Sequence, residues 1–245
     1  MLDLTRLTSN ALPTDPYRWG VVDQLFSPSD CEKLVKTFPR DHFKTVEGYD
    51  GEKGYHYEAR SLIAMGADAP TDARCLSPEW LQLAEDLLSP AYREAMSRLT
   101  GVETTNLPIE ANVFHYGRSA WLGPHVDLPD KIITHVFYFN EVWNQSDGGC
   151  LTILRSGDAT QIVKVVPPLV GSSVVLVRSE NSWHAVSRVR EKCSNSRRSL
   201  AVTFYRRGSQ STLWPKDDLT PLHDYSGEHS AWRRFVRKKW KQISR

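Results

Sequence analysis

Two histidines and an aspartate carry the densest chemical signal in this chain. His125 and Asp127 flank a single valine, and His184 follows 57 residues after Asp127. In an extended segment residues i and i+2 project to the same side, so His125 and Asp127 can reach one ion together. His184 opens a later run of β character and supplies a third ligand. Two neutral imidazoles and one carboxylate on one face of a metal leave three positions open. That is the arrangement expected of a non-haem Fe(II) site that admits a co-substrate and O₂. A zinc hydrolase can also use two His and one Asp, but no H-E-x-x-H helix supports that reading here.

The elements that must position these ligands follow from the pattern around them. Residues 110–116, 132–139, 151–154, 162–166, 172–177, 184–189 and 199–205 read as short β runs. Gly123-Pro124, Asp147-Gly148-Gly149, Ser156-Gly157-Asp158, Pro167-Pro168 and Gly171 separate them as turn signals. Such punctuation predicts an antiparallel sandwich or barrel. The first hundred residues instead read as helices and loops. Ser27-Pro28-Ser29-Asp30 has the cap and first-turn proline of a helix start, with Cys31, Leu34, Val35 and Phe38 following at helical spacing. A second helix is predicted from Ser77-Pro78-Glu79, burying Trp80, Leu83, Ala84, Leu87 and Leu88. A third runs over 90–99, with Gly101 placed to end it. The Gly- and Tyr-rich stretch 47–60 reads as a surface loop or a lid over an active-site mouth.

Composition bounds the class. The 245 residues, 40% hydrophobic and 24% charged, suit one globular domain: helical support and possible lid over 1–108, a β core over 109–207, and a basic tail over 208–245. A formal net charge of only +2 gives no electrostatic case for a nucleic-acid partner. Four scattered cysteines without a C-x-x-C pair suit free thiols in a reducing compartment. With neither a signal-peptide pattern nor a spanning apolar run, a cytoplasmic protein is expected. The stretch 232–245 holds seven Arg or Lys and no acid, with Trp232, Phe235, Val236, Trp240 and Ile243 near helical spacing. It is expected to pack as a helix, with contact to an anionic membrane surface as the alternative.

Several features fall into order around the metal motif: Tyr116-Gly117, Gly123-Pro124, His125-Val126-Asp127, Tyr138-Phe139-Asn140, Gly148-Gly149-Cys150-Leu151, Gly171, His184, and an arginine 13 or 14 residues later. Over roughly 112–205 this order resembles the 2-oxoglutarate/Fe(II)-dependent oxygenases of the prolyl 4-hydroxylase type. The segment from His125 through Trp143 looks particularly like the oxygen-sensing prolyl hydroxylases. The resemblance implies a double-stranded β-helix (jelly-roll) core and His125, Asp127 and His184 as the catalytic iron ligands. It also implies 2-oxoglutarate and O₂ as co-substrates, hydroxylation of an unactivated C–H bond, and release of succinate and CO₂. Related halogenases lack the carboxylate, so Asp127 implies hydroxylation rather than chlorination.

The distal carboxylate of 2-oxoglutarate calls for a guanidinium, whose planar fork meets it with two charge-assisted bonds. Arg197 and Arg198 compete for this role. Residues 197, 199, 201 and 203 form a small polar face, whereas 198, 200, 202 and 204 form a bulkier, more apolar one. The small polar face and the alignment of Ser199-Leu200 favour Arg197, with Arg198 as the alternative register. Tyr138 matches the family tyrosine that reaches the same carboxylate. Asn112, His115, Tyr116 and Trp121 are candidates for the substrate pocket, and His135 reads as structural. A small-molecule substrate such as an amino acid or a carrier-bound intermediate is expected. The alternatives are a protein substrate hydroxylated at proline and a non-catalytic, cupin-like metal-binding barrel.

Overall fold

The computed structural model of the chain describes residues 1–9, 11–50 and 53–225. The helix predicted over 232–245 lies outside them. Chain order is α1 (Thr5–Thr8), β1 (Trp19–Asp23), α2 (Pro28–Lys36), β2 (Lys44–Asp50), β3 (Lys53–Ile63), α3 (Pro78–Leu88), α4 (Pro90–Thr100), β4 (Ile109–Tyr116), β5 (Trp121–His125), β6 (Lys131–Tyr138), β7 (Leu151–Leu154), β8 (Ile162–Val166), β9 (Ser172–Val177), β10 (His184–Val186) and β11 (Arg197–Tyr205).

The three longer helices begin in the same way. Ser27, Ser77 and Ser89 each accept a hydrogen bond from the backbone N–H three residues on, and Pro28, Pro78 and Pro90 follow them. Each cap satisfies an otherwise orphaned donor and stabilises its helix by about 1 kcal/mol. Gly101 ends α4 in the left-handed region at φ 70°, where a side chain would be strained. The helices bury Leu34, Val35, Trp80, Leu83, Leu87, Tyr92 and Met96 against one face of the sheet. Trp80 is fully buried and donates its indole N–H to the carbonyl of Leu34 at 3.1 Å.

The strands pair antiparallel in the order β1-β9-β6-β11-β4-β3-β5-β10-β7-β8, with β2 paired to β3. The long strand β3 joins a larger half of this sheet (β1-β9-β6-β11-β4) to a smaller one (β5-β10-β7-β8), because residues 58–63 pair with β4 while Tyr55 and His56 pair with β5. The sheet therefore folds over on itself as a jelly-roll half-barrel. A second core, including Tyr17, Trp19, Tyr116, Val136, Tyr138, Leu151, Ile153, Leu176 and Val186, fills the space between its halves. Ahead of β7, Gly148 at φ 73° passes so close to the Arg188 carbonyl that a Cβ would overlap it. Among the described residues no helix is long and apolar enough to cross a membrane.

Three expectations are corrected. The region 1–108 is not only helix and loop, since it contributes β1, β2 and β3. The stretch 47–60 belongs to a β-hairpin with the register Lys44↔Ala59 to Asp50↔Lys53 rather than to a loop. Its glycines and charges give weak local β preference, and pairing of β3 with β4 and β5 overrides it. Gly123-Pro124 lies within β5 rather than in a turn. Proline supplies no ladder donor, and the β5–β10 register shifts between His184 and Val186.

His135 is a structural histidine. It is fully buried on the helix-facing side of β6, with Nδ1 bonded to the Tyr92 hydroxyl and Nε2 to the Ser173 hydroxyl, both at 3.0 Å. Burial disfavours its charged form and lowers its pKa from 6.5 to about 3. Between those values the unfolded chain binds the extra proton, so this group stabilises fully above pH 6.5 and progressively less as pH falls toward 3. Urea midpoints measured from pH 7 to pH 4 (about the window of ordinary histidine titration) are expected to fall more steeply for the native chain than for His135→Gln. Parallel profiles would remove this role.

Candidate metal and co-substrate site

The pairing of β5 with β10 sets His125 directly opposite His184, and their ring centroids lie 4.3 Å apart. Asp127 follows at the end of β5. Ligand atoms of His125, Asp127 and His184 lie within 4.8 Å of one another, and the three residues are only 7%, 9% and 7% exposed. Each imidazole is oriented by a backbone carbonyl. His125 Nδ1 bonds the Gly123 oxygen and His184 Nδ1 the Ser182 oxygen, both at 2.9 Å. A carbonyl can only accept, so Nδ1 carries the proton and Nε2 keeps its lone pair for a metal.

Asp127 is the electrostatic centre of the site. Its Oδ1 accepts from Lys131 Nζ and its Oδ2 from Thr134 Oγ1, both at 2.9 Å. Burial pushes its carboxyl up, but positive charge around it, that of Lys131 foremost, outweighs burial and holds it well below the usual carboxylate range. Burial pulls the Lys131 ammonium down, and Asp127 in turn reverses this and holds it above its ordinary value. Asp127 therefore stays anionic, as a hard divalent cation requires of a carboxylate ligand.

A cavity of about 380 Å³ opens beside the triad, within the range of small-molecule sites. Arg197, Ser199, Ala201 and Thr203 of β11 face into it. Arg197 is 3% exposed, bonds Ser199 Oγ at 2.7 Å through Nη1, and lies 4.7 Å over the Tyr116 ring and 5.5 Å from the Tyr138 ring. Its Nε and the Tyr138 hydroxyl are both buried without a hydrogen-bond partner. A buried guanidinium with a spare donor beside a spare phenol fits an anionic ligand such as a carboxylate. Burial pushes the phenols of Tyr57, Tyr116 and Tyr138 up, which keeps them neutral donors. Arg198 points the other way, with its guanidinium 5.6 Å from the Phe38 ring of the helical layer.

Of the four candidate substrate residues, Asn112 and Tyr116 line the cavity, and His115 and Trp121 do not. Strand alternation turns His115 to the opposite face, where it bonds Glu58 and stacks on Tyr225 at 3.6 Å. Trp121 lies beneath the Arg188 guanidinium, 3.6 Å from it. Cavity residues not anticipated from sequence include Glu110, Lys131, Thr134 and Tyr205, Val46, Tyr55 and Tyr57 from the hairpin, and Thr212 and Leu213. The last two belong to a strap after β11. Lys44 ties the strap down by bonding the Leu213 carbonyl and the Asp218 carboxylate, and Trp214 Nε1 donates to Asn112 Oδ1 at 2.7 Å. A second potential ligand cluster, Asp41, His42 and Cys75, lies elsewhere, but Arg60 Nε already bonds Asp41.

The strap yields a direct test. Lys44→Met removes an ammonium that holds two strap groups and leaves the barrel strands intact. Limited proteolysis is expected to cut within 207–219 several-fold faster in the variant. Unchanged cleavage would mean that Lys44 does not hold the strap.

Residues 111–206 match the family model described as the 2OG-Fe(II) oxygenase superfamily. The chain is 23% identical over 198 residues to the prolyl 3,4-dihydroxylase OGFOD1 of Ostreococcus tauri, covering 76% of this chain but only 37% of that protein. A prolyl 4-hydroxylase structure from Phytophthora capsici superposes with a TM-score of 0.55 at 17% identity, over 97% of this chain and 75% of that one. A prolyl hydroxylase of Trichoplax adhaerens, solved with a hypoxia inducible factor peptide fragment, gives 0.51 at 16% identity, over 83% and 87%. Residues 111–206 are thus similar in sequence to the 2OG-Fe(II) oxygenase superfamily, and the chain shares its fold with the Phytophthora capsici structure.

Proposed function

We propose that this chain is a 2-oxoglutarate-dependent dioxygenase that hydroxylates a saturated C–H bond. One observation carries the reading. A buried His125-Asp127-His184 triad shares a cavity with Arg197, whose Nε, like the hydroxyl of the neighbouring Tyr138, is buried without a hydrogen-bond partner. His125 Nε2, His184 Nε2 and a carboxylate oxygen of Asp127 would hold Fe(II) on one face. Arg197 and Tyr138 would bind the distal carboxylate of 2-oxoglutarate. Bound Fe(II) supplies the redox chemistry by which O₂ gives one oxygen atom to the substrate and one to succinate, with loss of CO₂. The protein's own work is positioning: Lys131 and Thr134 keep Asp127 anionic and fixed, and the second core walls the inner end from water.

For the substrate, a small molecule suits a cavity of about 380 Å³. A prolyl side chain presented by a peptide is the second reading, favoured by the activity named for the Ostreococcus tauri relative. Succinate release under air, run across free amino acids and proline-containing peptides, separates the two. His125→Ala is expected to lose turnover and Fe(II) binding. Arg197→Met is expected to weaken 2-oxoglutarate binding by roughly a hundredfold, the loss of a charge-assisted bidentate contact. Arg198→Met should bind 2-oxoglutarate as the native chain does. Equal losses at 197 and 198 would sink the co-substrate assignment, and 2-oxoglutarate-independent turnover would sink the function.

A further inference from the structure

The cavity has a second polar end that neither the metal triad nor the Arg197 pocket uses. Glu110, Thr203 and Thr134 lie side by side across β4, β11 and β6. Thr134 bonds Asp127, so Glu110 stands two strand spacings, on the order of 10 Å, from the triad. On β11 this row is six residues from Arg197.

Glu110 lines the cavity and is 2% exposed. Its Oε2 accepts from the Tyr205 hydroxyl at 3.0 Å, and its Oε1 is buried with no hydrogen-bond partner. The nearby ammonium of Lys131 is bonded to Asp127 instead. Two positions along the same strand face, Asn112 is oriented by Trp214. An indole N–H can only donate, so Asn112 Oδ1 must take that bond, and the amide nitrogen faces away from the indole. A buried carboxylate oxygen without a donor is destabilising, and a ligand that brings a charged N–H removes the deficit with the strongest available bond.

We propose that Glu110 is the substrate anchor and that it selects an amine: a protonated amino group held by Oε1, with Asn112 Nδ2 offering a donor beside it. The assignment rests on the oxygenase reading above and narrows its substrate class. The amine comes either from a free amino acid or diamine, or from a lysyl side chain of a protein.

The test uses the whole chain under anaerobic conditions with Fe(II) and 2-oxoglutarate, whose visible charge-transfer band reports loading. Calorimetric titration compares L-proline, L-lysine and putrescine with their N-acetylated forms, and a lysine-containing peptide with its acetyl-lysine form. At least one amine is expected to bind. Acetylation of that amine and Glu110→Gln should each weaken binding about tenfold or more, the cost of losing a charge-assisted bond. The arm that binds identifies the source. Absence of binding by any amine, equal binding of amine and acetylated forms, or unaltered binding by Glu110→Gln would overturn the anchor while the band stays intact. Absence of the band overturns the oxygenase reading itself, and the anchor with it.

Discussion

A carboxylate kept charged in a nearly dry interior is the constraint on which this site depends. An isolated buried Asp127 would rather take up a proton than pay for desolvation, and a protonated acid is a poor ligand for a divalent cation. The chain prevents this locally. Lys131 and Thr134 come from the next strand of the larger sheet, and the imidazoles come from the β5–β10 pair of the smaller one. Asp127 therefore ties the two halves of the barrel together electrostatically at the place where the metal would sit. The half-barrel has to hold its register for this to work. A one-residue slip of β10 against β5 would turn His184 away from His125.

Strand alternation then divides each strand of the larger sheet between two tasks. On β6, Thr134 and Val136 face the cavity and Tyr138 joins the inner core beside it, while Ile133, His135 and Phe137 meet the helical layer. On β11, Leu200, Val202 and Phe204 pack into the helix-side core while Arg197, Ser199, Ala201 and Thr203 face inward. The cost of burying a guanidinium and a glutamate on the inner face is offset by the apolar packing on the outer one. The serine-proline helix starts belong to the same arrangement, because they fix where Trp80 and Tyr92 enter the core behind β6 and β11.

Alternation is also why parts of the site were readable in advance. Period two separates Arg197 from Arg198 and groups His125 with Asp127, and it would equally have set Tyr116 and Asn112 apart from His115 had the register of β4 been certain. Pairings between distant segments were not readable. Nothing near Trp19 announces that five residues will become an edge strand on β9, since the partner lies more than 150 residues away. The 47–60 stretch looked like a loop because Gly48, Gly51 and Gly54 dilute its β character, and its strands exist through pairing with β4 and β5. Glu110 was hidden for a different reason: one acid at the start of an apolar run reads as a strand end. Only the packing of Tyr205 and the buried oxygen reveal it as part of the cavity.

The mouth of the cavity is built on other principles than its base. At the base, Tyr138, Tyr116, Leu151 and Val186 sit in a continuous apolar core. At the mouth, the hairpin contributes Val46 and Tyr55, and the strap contributes Thr212 and Leu213. Lys44 belongs to β2 and bonds two groups of the strap, so its ammonium, which also lies 4.2 Å over the Trp214 ring, couples hairpin and strap. Polar links of this kind exchange with water at small net cost, whereas opening the base would expose a hydrophobic core. Local opening should therefore concentrate at the mouth, and His125, Asp127 and His184 should stay in place while it happens. Trp214 bonds both sides of the problem, strap and Asn112, and so links closure of the entrance to the orientation of the amide beside Glu110.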